Sequence, residues 1–502
     1  MKVDWLPRRG TAARQASFVV LGDGMTFAGL FVTTMIMARI VGKADMATYR
    51  QVLYVGPLAI SIVEFGISST VYRFVPFYKD EERKAFLWDA LVAMTVLGAV
   101  ASLALALLSR PLAVAFHNDA LAPALRIAAA YPLAMMPFML VRPVLICEGH
   151  SLKATSLETI FALGTAVAFL APLAVGASLN AALVFWMGAN ASRLPVTAWL
   201  MWRVLRGVRF RWERSVVKDV WGYAWPLQAS RIPGIAIQYF DKLVTSVMLS
   251  TSAFAAYSLG ARELPFVNSI AFSMSSVLVP QMVTAIQSGG VDRVCQLWRK
   301  ASVSTAIVTY PFAAFSVWYA KPIICVLFTS AYEDSAIPFR FFAGITFLRV
   351  INYGSLAKAL GESRIIMTAT VITMMVSLPI SVAMAYLWGI WGVSVSLLVS
   401  TMVMSAYYLL RYKRLLRCPI SAFFPMGSLA LVGAVSIAAV LMADACLGRA
   451  LGIEEEVLAA RLAFRLLAVF AVAASAYVGG WALIRKAYPG FFVNVALPGL
   501  RA

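Results

Sequence analysis

Arg193, Arg231, Lys242, Arg262 and Arg349 lie inside long apolar stretches of this chain, as do the acids Asp23, Glu64, Glu158, Asp241 and Glu263. An arginine halfway through a bilayer costs about 2.5–3.5 kcal/mol on insertion scales, so such groups normally face protein or a water-filled cavity. A guanidinium also presents a planar fork of donors that matches phosphate oxygens. The chemistry this set suggests is recognition of a phosphate-bearing anion within a membrane. Arg231 and Arg349 have no acid nearby in sequence and head the candidate substrate-binding group, followed by Arg193, Arg262 and Lys242. Asp23, Glu64 and Asp241 fit two roles, binding a coupling ion or balancing those arginines. The adjacent pairs Asp241–Lys242 and Arg262–Glu263 also fit pairing for packing alone, and Lys242 has the reach to snorkel. Helix neighbours do not face one another, so partners are expected on other helices. Arg126 and Arg142 fall near the ends of an apolar stretch, where interfacial solvation is the simpler reading.

Other chemistries find little support. Cys147, Cys295, Cys325, Cys418 and Cys446 are scattered without a C-x-x-C, and the histidines are His117 and His150 only. Neither a metal site nor a disulfide framework is expected, and H-E-x-x-H is absent. No G-x-x-x-x-G-K-[ST] loop is present, so nucleotide hydrolysis is not expected and no cofactor is implied.

The elements that must position these charges are helices. Hydrophobic residues make up 61% of the 502 residues and charged ones 13%, against about 45–50% and 25% in soluble domains. A span needs about 20 apolar residues, and fourteen candidates follow: 16–41, 51–72, 87–108, 122–146, 156–176, 181–204, 218–248, 252–284, 300–327, 336–357, 365–387, 390–410, 424–444 and 463–485. The first is too long for the h-region of a cleaved signal. The net charge of +20 is not gathered on a soluble domain, which speaks against nucleic acid. Alternate loops hold it, around Lys79–Lys84, Arg203–Lys218, Arg293–Lys300 and Arg411–Arg417. That asymmetry puts those loops and both termini on the cytoplasmic side. The opposite loops are short, and the longest, around "DACLGRALGIEEEVLAARLA", has room for an interfacial helix only.

An internal repeat organises the spans. Tyr49 in "MATYRQV" matches Tyr257 in "FAAYSLG" (257 − 49 = 208), Gly149 matches Gly361 (361 − 149 = 212), and Arg206 matches Arg417 (417 − 206 = 211). This predicts an N-terminal lobe over 1–212, a second six-helix lobe over 213–420, and two added helices with a cytoplasmic tail over 421–502. Six is even, so the halves share an orientation, and their interface is the natural place for a substrate.

The stretches "GDGMTFAGLFVTTMIMARIVGKADMATYRQV", "EFGISSTVYRFVPFY", "YFDKLVTSVMLSTSAFAAYS", "VLVPQM" and "LGESRIIMTATVITMMVSLPISVAMAYLWGIWGVSVS" resemble the multidrug/oligosaccharidyl-lipid/polysaccharide flippase superfamily. Within it they are most similar to the Wzx-type polysaccharide transporters, across the first twelve spans. The resemblance implies an all-α polytopic protein whose two lobes form a V and open alternately to each side. It implies transport without catalysis of a polyprenyl-pyrophosphate-linked oligosaccharide across a bacterial inner membrane, for O antigen, capsule or exopolysaccharide. Expected partners are that lipid, the surrounding membrane lipids and the polysaccharide polymerase machinery, with coupling to membrane potential, H+ or Na+. Asp241 and Lys242 stand where these transporters often place an acid-base pair. The branch that moves the peptidoglycan precursor tends to have arginines midway along the second helix; Ile60 and Ser61 are here instead. A small-solute antiporter of the same superfamily would call for an acidic cavity, whereas these mid-span charges lean basic. A membrane glycosyltransferase or polymerase would call for a sizeable outer loop or a metal.

Overall fold

The computed structural model describes residues 9–76, 78, 80–205, 214–262, 265–287, 290–448 and 459–487. Every regular element among them is a helix. Among the described residues seven helices are long and apolar enough to cross a membrane: Glu81–Ala115, Leu121–Cys147, Leu152–Ala174, Val291–Trp318, Arg364–Leu416, Met426–Leu447 and Leu462–Ala482. One of these is a hairpin. The chain leaves helical geometry at Gly389 (φ 55°, ψ −130°), and Ser381 Oγ meets Ser396 Oγ at 2.8 Å. Fifteen residues of straight helix would separate them by about 22 Å. A glycine suits this reversal because it carries no Cβ to resist a positive φ.

Of the remaining expected spans, 16–41 and 218–248 are single helices, Arg9–Ile40 and Arg214–Met248, and the others are divided. Span 51–72 splits into Lys43–Val63 and Ile67–Phe74. Span 181–204 divides at Ser192 into Leu179–Ala191 and Arg193–Leu205. Span 336–357 unwinds between Phe347 and Gly354. The polybasic stretch 206–213, the outer loop over 449–458 and the tail from 488 lie outside the described residues.

By internal contacts the chain forms two compact units, Met1–Tyr239 with Ser250–Ala255, and Phe240–Leu249 with Ala256–Ala502. In the first unit, Arg9–Ile40 packs along Ser151–Ala174. A core of Ile60, Val71, Phe86, Met94, Phe138 and Val144 joins the helices on either side of Glu64 to their neighbours. Helix Lys43–Val63 also runs against Arg214–Met248, with the Tyr54 hydroxyl donating to the Tyr239 carbonyl.

The second unit is built round buried aromatics. Trp298, Tyr310, Tyr353, Tyr408 and Tyr412 share one core, with Tyr353 stacked on Tyr408 at 5.9 Å between centroids. Their hydroxyls have a specific task. A helix broken at membrane depth frees carbonyls that lipid cannot satisfy. Tyr310 donates to Phe347 O at 2.9 Å, Tyr353 to Leu348 O at 2.8 Å, and Tyr412 to Tyr353 O at 2.6 Å. Pro311 raises the same problem inside Val291–Trp318, since it has no N–H for the carbonyl four residues back. That carbonyl belongs to Ile307, and Tyr477 of helix Ala459–Ala487 donates to it at 2.7 Å.

Candidate functional site

The break in the second span is organised by Glu64. Phe65 (φ 49°) and Gly66 (φ 70°) are consecutive left-handed residues, so the chain leaves one helix and starts another at Ile67. The carboxylate of Glu64 sits over that new N-terminus, where donors and helix dipole favour an anion. Its Oε1 accepts from Ser68 N–H at 3.0 Å and from the Ser68 hydroxyl. Its Oε2 accepts from Gly66 N–H at 3.2 Å and from Arg231 Nη1 at 3.1 Å. Gln228, one turn before Arg231, donates Nε2 to Ser61 O at 2.9 Å and Ile62 O at 3.3 Å. Two side chains on one face of helix Arg214–Met248 therefore clip it to the break.

The Glu64–Arg231 pair is asymmetric. The Glu64 side chain is 3% exposed and that of Arg231 is 48% exposed. Separating a buried ion pair is ordinarily costly because one charge is left without compensation. Here Glu64 would keep three donors from Gly66 and Ser68 after Arg231 left it. Arg231 is thus a cation that can exchange its anion while its former partner stays satisfied. It is also central, 17 residues from either end of helix Arg214–Met248 (231 − 214 = 17; 248 − 231 = 17).

In the second unit Asp241 is held from three directions. Lys242 Nζ lies 3.3 Å from both carboxylate oxygens, the buried Tyr257 hydroxyl donates to Oδ2 at 2.9 Å, and Thr245 ties down the Asp241 backbone carbonyl at 2.6 Å. Tyr257, the repeat residue of "FAAYS", is therefore a ligand of the carboxylate. Arg349 is exposed, in the unwound stretch after Phe347, and its N–H donates to Ile345 O at 2.8 Å.

The other sequence candidates fall elsewhere. Arg193 is 7% exposed and lies over the rings of Phe138 (5.3 Å) and Phe161 (5.0 Å), with Asn190 accepting from Nη1. Arg262 follows helix Thr251–Gly260 and is half-buried; its sequence neighbour Glu263 lies outside the described residues. The side chain of Asp23 also lies outside them. Arg142 pairs with Glu158 of the next span at 2.7 Å, so its environment is protein and not merely the interface. Among the described residues no three His, Cys, Asp or Glu side chains gather as metal ligands.

Gln228, Ser68 and Tyr257 were not among the sequence candidates. A signal for the first was its i, i+3 spacing from Arg231. For the second it was an acid followed by Phe-Gly and a serine one turn on, "EFGIS", a pattern that stops and restarts a helix. Tyr257 stood out only as a repeat marker.

A multi-pass, all-helical bundle with broken spans and ion pairs between its helices is the build of a membrane transporter. Residues 12–285, more than half of the sequence, match the family model described as "Polysaccharide biosynthesis protein", and the chain belongs to that family. The family is the Wzx-like branch of the multidrug/oligosaccharidyl-lipid/polysaccharide superfamily. Solved structures share the fold. "Lipid II flippase MurJ, inward closed conformation" is similar at TM-score 0.73 and 12% identity, covering 94% of this chain and 100% of that one. An inward-facing multidrug resistance MATE transporter is similar at TM-score 0.64 and 14% identity, covering 78% and 94%. A superfamily transporter from Pyrococcus furiosus, titled for the reverse polarity of its binding pocket, is similar at TM-score 0.53 and 14% identity, covering 81% and 95%. No curated protein matches in sequence.

Proposed function

We propose that this chain is a flippase that moves a polyprenyl-pyrophosphate-linked oligosaccharide from the cytoplasmic to the outer leaflet of a bacterial inner membrane, for polysaccharide assembly. Family membership supports the pathway. The observation that carries the reading is the half-exposed Arg231, centred in its helix and paired with a carboxylate that has its own alternative donors. A pyrophosphate can take the guanidinium in a bidentate fork while Glu64 remains capped. Glu64 stands in the first sequence repeat (1–212) and Arg231 in the second (213–420), with 421–502 added. Both lie in the compact unit over Met1–Tyr239, so exchange of Arg231 from carboxylate to phosphate then links headgroup capture to loosening of helix Arg214–Met248 from the break at Glu64. Arg349 adds a second exposed cation, and Asp241 with Lys242 a charge-balancing or ion-coupling pair.

The need for such a protein is energetic. Burying one unpaired hydroxyl costs about 2–7 kcal/mol depending on the reference state, and an oligosaccharide carries many. A polar cavity that pairs the phosphates and hydrates the sugars removes most of that barrier while the polyprenyl tail stays in lipid.

The test is to delete the protein and locate lipid-linked units by their accessibility to a membrane-impermeant reagent. Units trapped on the cytoplasmic face are expected, and normal exposure outside would refute the reading. Arg231→Ala and Arg349→Ala should each impair transport while the protein still inserts. Normal transport in both would remove the site assignment.

A further inference from the structure

One polar face leads away from Glu64. On helix Ile67–Phe74, Ser68 and Tyr72 are four residues apart and share a face. Ser68 bonds Glu64, and Tyr72 is 47% exposed. The helix packs against Val141–Cys147, the helix that carries Arg142. Arg142 Nη1 lies 2.7 Å from Glu158 Oε2, with the two side chains 28% and 30% exposed. Phe161, one turn beyond Glu158, carries Arg193 on its ring. Arg193 Nε is buried without a hydrogen-bond partner. Glu158 thus takes Arg142, while Arg193 is seated on the rings one turn along the same helix.

Its depth differs from that of Arg231. Arg142 is five residues from Cys147 (147 − 142 = 5), about 7.5 Å along the axis, whereas 17 residues put Arg231 about 25 Å from either helix end. The loop after Cys147 is on the side that the basic loops assign to the cytoplasm.

We propose that Arg142, with Tyr72 beside it and Glu158 and Arg193 behind it, is a first docking point for the diphosphate of the lipid-linked substrate. The diphosphate passes from there along the Ser68 face to Arg231. This rests on the flippase reading and adds to it an entry subsite and an order of engagement. The exposed part of the Arg142 guanidinium recruits the anion, and Glu158 keeps the grip loose enough for transfer inward.

The experiment measures binding of farnesyl diphosphate and of inorganic pyrophosphate to the purified full-length protein, alongside transport of lipid-linked units. The variants are Arg142→Gln and the charge swap Arg142→Glu/Glu158→Arg. Arg142→Gln should weaken farnesyl diphosphate binding by about 10-fold or more, the loss expected for one charge-assisted bond, and slow transport. The swap rebuilds an ion pair, so the protein should melt near the unaltered temperature yet remain about as defective. A swap that restores binding and transport makes the pair a packing device and overturns the proposal. So does unchanged binding and transport in Arg142→Gln. If Arg142→Gln fails to fold, the swap carries the same decision. Pyrophosphate competing as tightly as the prenyl compound, with transport indifferent to Arg142, marks a soluble ligand and overturns it too. Unaltered protein that neither binds the prenyl diphosphate nor moves lipid-linked units would sink the flippase reading itself. Normal binding and transport without dependence on Arg142 would sink the entry subsite alone.

Discussion

Glu64 holds two roles in one carboxylate, as the cap of helix Ile67–Phe74 and as counter-ion to Arg231. The roles separate by substitution. Glu64→Gln keeps one oxygen for the Ser68 donors but removes the charge and turns an NH2 towards Gly66 N–H and Arg231, whereas Glu64→Ala removes every acceptor. Glu64→Ala is expected to lower stability by about 1–3 kcal/mol, from the orphaned Gly66 and Ser68 donors, and Glu64→Gln by less. Thermal unfolding in detergent checks the order, and equal losses would mean that the cap contributes nothing. That Glu64 would neutralise an arginine was one of two roles legible in the sequence. That the arginine is Arg231, 167 residues away, was not, because helix periodicity locates a residue on its own helix but says nothing of the neighbour across the interface. Arg193 makes the same point: its mid-span position was readable, and its seat between two phenylalanine rings was not.

At the scale of elements, the bundle tolerates broken helices because tyrosine hydroxyls, most of them from other helices, occupy the freed carbonyls. Pro311 could be seen in the sequence as an interruption. Its repair by Tyr477, 170 residues on, could not. A double-mutant cycle tests the repair. Tyr477→Phe should cost about 1–3 kcal/mol for an unsatisfied carbonyl, and less in a Pro311→Ala background, where residue 311 regains the N–H that bonds Ile307 O. A coupling near 1 kcal/mol is expected, and additive costs would show that the hydroxyl serves another purpose. The stretch after Phe347 follows the same logic, with Tyr310, Tyr353 and Tyr412 standing in for helix hydrogen bonds. A break so supported is a designed irregularity, and it is where Arg349 emerges.

For the molecule as a whole, the absence of a nucleotide-binding loop from the sequence leaves electrochemical energy as the supply that its residues suggest. Moving one charge across 100 mV is worth about 2.3 kcal/mol, so a dianionic diphosphate leaving an inside-negative compartment gains roughly 4.6 kcal/mol. In proteoliposomes holding a potassium gradient, valinomycin should therefore accelerate export when the donor side is negative. Transport indifferent to the imposed potential would mean that cations move with the headgroup. The multi-pass helical class was legible in composition alone, since 61% hydrophobic residues in repeated 20-residue runs admit no soluble alternative. The superfamily was legible as well, in short motifs whose order counts for more than any one of them.

Local information was thus enough for the helices, their apolar lengths, the basic loops and the charges that needed explanation. Hydrophobicity and helical period are properties of neighbouring residues, and both survive in a one-dimensional reading. Packing alone determined which charges meet, that Glu64 takes Arg231 and Arg142 takes Glu158, and which hydroxyl mends which break. Those pairings depend on distances between separate helices, and a guanidinium that must find a partner in low dielectric takes the one that the fold brings within 3 Å or so.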